Sequence, residues 1–170
     1  FQYVELLQEP IAAAIAYGVA TDQKDGFWLV FDFGGGTFDV ALLRVDGGVQ
    51  QVVDTEGDSF LGGKDIDYAL VDHILMPYVE NHFEVSKIKA SKSKKMMFRE
   101  ALKVYAEAAK VTLSTVSSAE ILSDLGELGC DDNGEEIELD MIITREMVHP
   151  IMAPFFQKAV AICQQILKRN

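Results

Sequence analysis

A carboxylate, three consecutive glycines and a second carboxylate lie within one ten-residue stretch, Val30-Phe31-Asp32-Phe33-Gly34-Gly35-Gly36-Thr37-Phe38-Asp39. No other part of the chain restricts the fold as strongly. Phe27 to Phe33 is an apolar, β-rich run, short enough to predict a buried strand. Three glycines then force a turn. Thr37 to Val45 reads as a second strand, Asp46-Gly47-Gly48 as a hairpin turn and Val49 to Thr55 as a third strand. Together they predict an antiparallel meander.

The glycine turn has a chemical reading. Glycines permit positive φ and let a backbone approach a ligand closely. Successive N–H groups in such a turn can form an anion-binding nest. Charge-assisted hydrogen bonds of that kind contribute roughly 1.5–3 kcal/mol each. Thr37 adds a hydroxyl. Asp32 beside phosphates is repulsive unless a Mg²⁺, held through water, lies between them. The alternative is a glycine-rich hairpin turn with no ligand. The turn is not a Walker loop, because no Gly-Lys-Ser/Thr follows. It is not a Rossmann fingerprint either, because the next element reads as a strand.

The flanking segments predict helices and a hairpin. Glu9 to Ala16 reads as a short helix with Pro10 in its first turn and Gly18 as its stop, before a polar loop over Thr21–Gly26. Gly62-Gly63 marks another turn. A helix is expected from about Asp65 to Phe83, kinked at Pro77. A strong amphipathic helix runs from about Lys94 to Leu113, its apolar positions being Phe98, Ala101, Leu102, Tyr105, Ala108, Ala109 and Leu113. Ala119–Leu125 and Ile137–Ile143 read as strands, with Asp131-Asp132-Asn133-Gly134 as a turn between them. Thr144 is a good helix cap. Pro150 and Pro154 disturb the next segment and place the final helix mainly over Pro154–Lys168.

Composition narrows the partners. The 170 residues suffice for one domain or two small subdomains. A net charge of −12 repels phosphate backbones and argues against nucleic acid. No apolar run approaches the roughly 20 residues of a membrane span, so no membrane partner is expected. Cys130 and Cys163 lack metal-ligand spacing and read as reduced thiols. His73, His82 and His149 also lack such spacing. Lys87, Lys89, Lys92, Lys94 and Lys95 have no interleaved aromatics and read as a solvated helix entry rather than a phosphate patch. The chain opens on Phe1 and is expected to be a piece of a longer protein, its targeting signal out of view.

Four stretches, in order, carry a family resemblance. Asp32-Phe-Gly-Gly-Gly-Thr-Phe-Asp39 resembles the second phosphate motif of the DnaK-type (seventy-kilodalton heat-shock) chaperones. Gln8-Glu9-Pro10-Ile11-Ala12-Ala13-Ala14 is similar to their Asn-Glu-Pro-Thr-Ala-Ala-Ala helix. Gly57-Asp58 with Leu61-Gly62-Gly63-Lys64-Asp65-Ile66-Asp67 resembles their Gly-Asp…Leu-Gly-Gly-Glu-Asp-Phe-Asp turn. Glu107-Ala-Ala-Lys110-Val-Thr-Leu-Ser114 resembles their Glu-Arg-Ala-Lys-Arg-Thr-Leu-Ser helix. The resemblance covers nearly the whole chain.

The resemblance implies an α/β fold, an actin-like ATPase (ribonuclease H-like) lobe with an inserted α+β cap. The base would comprise residues 1–61 and 151–170, and the cap residues 62–150. It implies an ATP-binding lobe of an ATP-hydrolysing folding chaperone, with ATP or ADP and Mg as cofactors and K as a second candidate cation. Gly35, Gly36 and Thr37 are implied at the β/γ-phosphates, Gly34 with them in the ATP-binding turn, and Asp32 in the magnesium shell. Glu9 is implied near the attacking water, Asp39 in organising the cation site, and Gly63 near the ribose and phosphate side. Glu107, Lys110 and Ser114 are implied at adenosine. Spacing puts those three on one helix face, as it would an ordinary exposed Glu–Lys pair beside a serine. Glu9, Asp65 and Asp67 also suit plain first-turn carboxylates.

Implied partners are the first nucleotide-binding lobe and peptide-binding domain of the parent, a nucleotide-exchange factor on the cap, a J-domain co-chaperone and unfolded polypeptides. The implied compartment is cytoplasmic, with an organellar lumen open. Two positions depart from the family. Val111 stands where many members place a base-flanking arginine, and Lys64 where glutamate is usual. They motivate an alternative, a weakly hydrolysing nucleotide-binding regulator or exchange factor of chaperones. Another actin-fold protein, such as a sugar kinase or filament protein, is a third reading. The segment Cys130–Glu136 lengthens its hairpin, and its acidic turn reads either as a solvated loop or as an exchange-factor contact. The family's first phosphate loop, catalytic lysine and later adenosine loop do not occur in these residues, so the chain alone is expected to be inactive.

Overall fold

The computed structural model describes residues 4, 6–16 and 25–170. The stop predicted at Gly18 and most of the loop predicted over Thr21–Gly26 lie outside the described residues. The chain divides into two compact units, one within Phe1–Gly63 and Phe155–Asn170, the other within Lys64–Pro154.

In the first unit, α1 (Glu9–Ala16) precedes an antiparallel sheet of β1 (Gly26–Phe33), β2 (Phe38–Asp46) and β3 (Val49–Asp58), in the order β1-β2-β3. Gly47 and Gly48 both take positive φ, 55° and 82°, which fits the two-residue turn joining β2 to β3. The central strand supplies the core to both faces. Phe38, Val40 and Leu42 pack with Leu61, Ala159, Cys163 and Ile166. Ala41 and Leu43 pack with Ala14, and Ile11, Val30 and Val52 join them. Strand alternation thus puts α1 on one face and the carboxyl half of the last helix on the other.

β1 is not the buried strand its apolar run predicts. Phe27 is 66% and Phe31 49% exposed. Among the described residues β1 pairs with β2 alone, an edge position; Val30 and Phe33 pack against the two core clusters, and the half-exposed Phe31 ring lies 4.8 Å from that of Phe38. Burial follows sheet position rather than hydrophobicity here.

The second unit, from Lys64, holds all but the first residue of α2 (Gly63–Leu70), a π-helical turn (Val71–Leu75) and α3 (Met76–His82). The π turn, closed by Met76 N–H to Val71 O, sits just before Pro77 and takes up the disturbance expected there. The short α4 (Ser86–Ala90) and the long α5 (Lys92–Leu113) come next. Ser91 caps α5, its Oγ accepting from Lys94 N–H at 3.5 Å. Phe98, Leu102, Ala106, Ala109 and Leu113 form its buried stripe. Ala108, expected inside, is exposed, and Ala106 takes the inner position.

β4 (Ser118–Leu122) and β5 (Asp140–Thr144) pair antiparallel. The acidic turn between them is tied down. Asp131 accepts N–H groups from Glu84 (3.1 Å), Asn133 (2.8 Å) and Glu135 (3.0 Å), and Asp132 accepts from Lys87 N–H (2.8 Å). Burial alone would raise the Asp131 pKa, but those backbone donors lower it on balance.

The last helix, α6 (Arg145–Arg169), is continuous. This corrects the expectation of a helix mainly over Pro154–Lys168. Thr144 Oγ1 accepts from Met147 N–H at 3.4 Å, which starts the helix ahead of both prolines. Pro150 and Pro154 are four apart, so their missing donors fall on one face. Buried Val148, Ala159 and Ile166 anchor the helix on both sides of them. No described helix is long and apolar enough to cross a membrane.

Candidate functional site

The glycine turn joins paired strand ends, with Phe33 opposite Phe38. Gly34 N–H donates to Thr37 O at 2.8 Å and closes it, while Gly63 N–H donates to Gly34 O at 2.9 Å and ties the following segment to it. None of Gly34, Gly35 and Gly36 takes a positive φ, so conformational freedom is not the reason for them. The demand for space falls on Gly62, which packs against them. A Cβ on Gly62 would lie 2.6 Å from both Cα and N of Gly36 and 2.8 Å from Gly35 C. A Cβ on Gly35 or Gly36 would meet nothing within 4 Å, so the turn's other side is open. The sequence motif contains Gly62, but only the packing shows it to be the residue that permits the close approach.

Strand parity sorts the acids of this unit. Asp32 lies directly opposite Asp39, and cross-strand partners share a face. Both have the parity of Val30 and Ala41, which pack in the α1 cluster. Asp54, Glu56 and Asp58 lie opposite Leu42, Val40 and Phe38, on the α6 face. There they meet cations. Arg169 binds Asp54 at 2.6 Å and Glu56 at 2.7 Å, and Lys158 pairs with Asp58. On the α1 face no described cation pairs with Glu9, Asp32 or Asp39. These three line a cleft of about 340 Å³ with Gln8, Val30 and Thr55. Gly57, opposite Asp39, leaves room for that carboxylate, since a Cβ there would come within 2.8 Å of its Oδ1.

Among the described residues, no three His, Cys, Asp or Glu side chains converge closely enough to cage a bare ion. The donor set is hard carboxylate oxygen, spread along a cleft. That suits a magnesium ion which keeps several waters and takes few protein ligands.

The face predicted on α5 is present but partly engaged. The Lys110 ammonium lies 2.5 Å from Asp67, a carboxylate buried in α2. Glu107 is exposed, with Lys103 Nζ 3.7 Å away. Ser114 caps α5, and its hydroxyl donates to Val111 O at 2.7 Å. Val111 is 61% exposed on the same last turn. Sequence left Asp67 between a first-turn carboxylate and a site residue, and did not single out Arg145. Arg145 donates from Nε to Leu113 O at 2.7 Å and from Nη2 to Ser114 O at 3.0 Å. No local motif signals either contact, because each partner lies over thirty positions away.

A helix-flanked antiparallel sheet with an open glycine turn and, among the described residues, an acidic face without cation partners makes this a mixed α/β chain. The family model described as Hsp70 protein matches residues 1–170. The chain belongs to the Hsp70 family. It is 38% identical over 169 residues to the heat shock cognate HSP70 protein of Trypanosoma brucei brucei, covering 98% of this chain and 23% of that protein. It is 36% identical to the mitochondrial heat shock 70 kDa protein of Pisum sativum (96% and 22% covered) and 34% to heat shock protein hsp-6 of Caenorhabditis elegans (96% and 24%). The chain spans about a quarter of the length of these relatives.

Proposed function

We propose that the chain is the ATP-binding second lobe of an ATP-hydrolysing folding chaperone, inactive when isolated. The observation that carries this is the division of acids in the first unit: those on the α6 face are neutralised, whereas Glu9, Asp32 and Asp39 remain unpaired among the described residues beside an open glycine turn. Backbone N–H groups of Gly35, Gly36 and Thr37 would hold the β/γ-phosphates, with Gly34 shaping the turn. Asp32 would hold Mg²⁺ through water, Asp39 would organise the cation site, and Glu9 would orient the attacking water. The ion would neutralise charge that develops on the transferring phosphoryl group. Gly63 would approach the ribose and phosphate side, and Glu107, Lys110 and Ser114 would bind adenosine. In this reading the first unit is the base and the second the inserted cap.

The parent would couple this lobe to a first nucleotide-binding lobe and a peptide-binding domain, with J-domain and exchange-factor partners and unfolded polypeptide clients. It would work in the cytoplasm or an organelle, one relative being named mitochondrial. Catalysis of this kind rests on positioning and electrostatics, so a partial cleft turns over no ATP. The test is release of a labelled apolar peptide from the full-length parent on adding ATP. Release supports the reading, and indifference to ATP counts against it. A weakly hydrolysing regulator is the second reading, favoured by the exposed valine at position 111, which offers no guanidinium to a base. Equal single-turnover rates for wild type and Asp32→Asn would select it.

A further inference from the structure

The carboxyl end of α5 is closed from two sources. Val111 O accepts both the N–H (3.1 Å) and the hydroxyl (2.7 Å) of Ser114. Thr112 O accepts the N–H and hydroxyl of Thr115, each at 3.1 Å, and Val116 N–H at 3.2 Å. Local donors therefore serve those two carbonyls. Leu113 O and Ser114 O receive theirs from Arg145, the first residue of α6, through Nε at 2.7 Å and Nη2 at 3.0 Å. The backbone N–H of Arg145 in turn donates to Ser117 O at 3.0 Å.

This geometry limits how the helix end can move. A guanidinium presents its N–H groups in a rigid plane, so two donors of one fork fix two adjacent carbonyls together. The peptide planes on either side of Ser114 are then held, and with them the direction of its side chain. The cation also sits where the helix macrodipole is negative, which favours the contact without a carboxylate partner. Lysine keeps the charge but has one nitrogen and cannot hold both carbonyls in the same way.

We propose that Arg145 is a positioning residue for nucleoside binding, acting through the Leu113 and Ser114 carbonyls to set the last turn of α5. The proposal rests on the reading that Lys110 and Ser114 serve adenosine. Arg145 touches neither phosphate nor metal in this assignment, so its loss separates two halves of one ligand.

The test uses the full-length parent with Arg145→Gln and, should that variant fold poorly, Arg145→Lys. Dissociation constants for ADP and for magnesium pyrophosphate are measured by calorimetry, and KM and kcat for ATP by phosphate release. For Arg145→Gln the expected result is about a tenfold rise in the ADP constant and in KM, the size of one lost charge-assisted hydrogen bond. Pyrophosphate affinity and kcat stay within about twofold of wild type, the smaller change that an untouched phosphate site allows. Arg145→Lys falls between Gln and wild type. Equal ADP binding by wild type and both variants overturns the proposal and leaves the nucleotide reading intact. Parallel weakening of ADP and pyrophosphate overturns it too, because that marks general loosening. A wild type that binds pyrophosphate but not ADP overturns both.

Discussion

The ammonium of Lys110 lies 2.5 Å from Oδ1 of Asp67, a carboxylate only 1% exposed. The contact is a close ion pair between a buried carboxylate and a largely covered ammonium. Burying a lone carboxylate is expensive, so α2 depends on α5 for this charge. Lys110→Met should destabilise the second unit by about 3 kcal/mol, the usual cost of stranding a buried charge. Adding Asp67→Leu should recover most of that. Urea unfolding of the single and double variants reads both values, and a single variant within about 0.5 kcal/mol of wild type, the range of an ordinary surface substitution, would show that the charge is not buried in solution.

Gly62 and Gly35 should respond differently to the same added methyl. At Gly62 a Cβ falls 2.6 Å from the backbone of Gly36, and backbone cannot swing aside. Gly62→Ala should lower thermal stability by several degrees, as about 2 kcal/mol does in a domain of this size. At Gly35 the methyl meets nothing within 4 Å. Gly35→Ala should melt within about a degree of wild type, yet weaken nucleotide binding because it occupies the open side of the turn. A Gly35→Ala variant that melts low but binds normally would reverse the argument.

What the sequence made legible was local. The hairpin turn at Gly47-Gly48 and the stripe Phe98, Leu102, Ala109 and Leu113 depend on residues within a few positions of each other, and they were readable. The exposure of Phe27 and Phe31 was not, because an apolar run is the same in an edge strand and a central one. Asp32, Asp39 and Glu9 could be named from their motifs. Their separation from Asp54, Glu56 and Asp58 needed the register, which no single strand encodes. Arg145 and Asp67 act on partners distant in sequence, and charge type alone does not pair them.

The two prolines within α6 show tertiary packing overriding a local rule, and the override should be measurable. Each removes one helix hydrogen bond, and proline in a helix interior costs about 3 kcal/mol relative to alanine. Part of that is returned because proline also restricts the unfolded chain, by about 1 kcal/mol. Pro150→Ala should therefore raise the unfolding free energy by about 2 kcal/mol. The helix already exists there, so circular dichroism of the folded protein should not change. An increase in folded helicity would mean that the segment frays in solution.

Arg169 and Asn170 should make stability fall in acid over a definite range. Hydrogen bonds from Arg169, then from Asn170, hold the Asp54 carboxyl at about 2, down from an ordinary 3.8. A carboxyl depressed in the folded state binds fewer protons there than in the unfolded chain. Its stabilising effect is therefore complete above about pH 4 and is lost as pH falls toward 2. The Lys158 contact lowers Asp58 on the same face, so it acts in the same direction. Arg169→Leu should consequently melt below wild type at pH 6, and the gap should shrink to a fraction of that size by pH 2.5. A gap that persists undiminished at pH 2.5 would show that Arg169 acts through its aliphatic stem, packed along the α6 face, rather than through its charge.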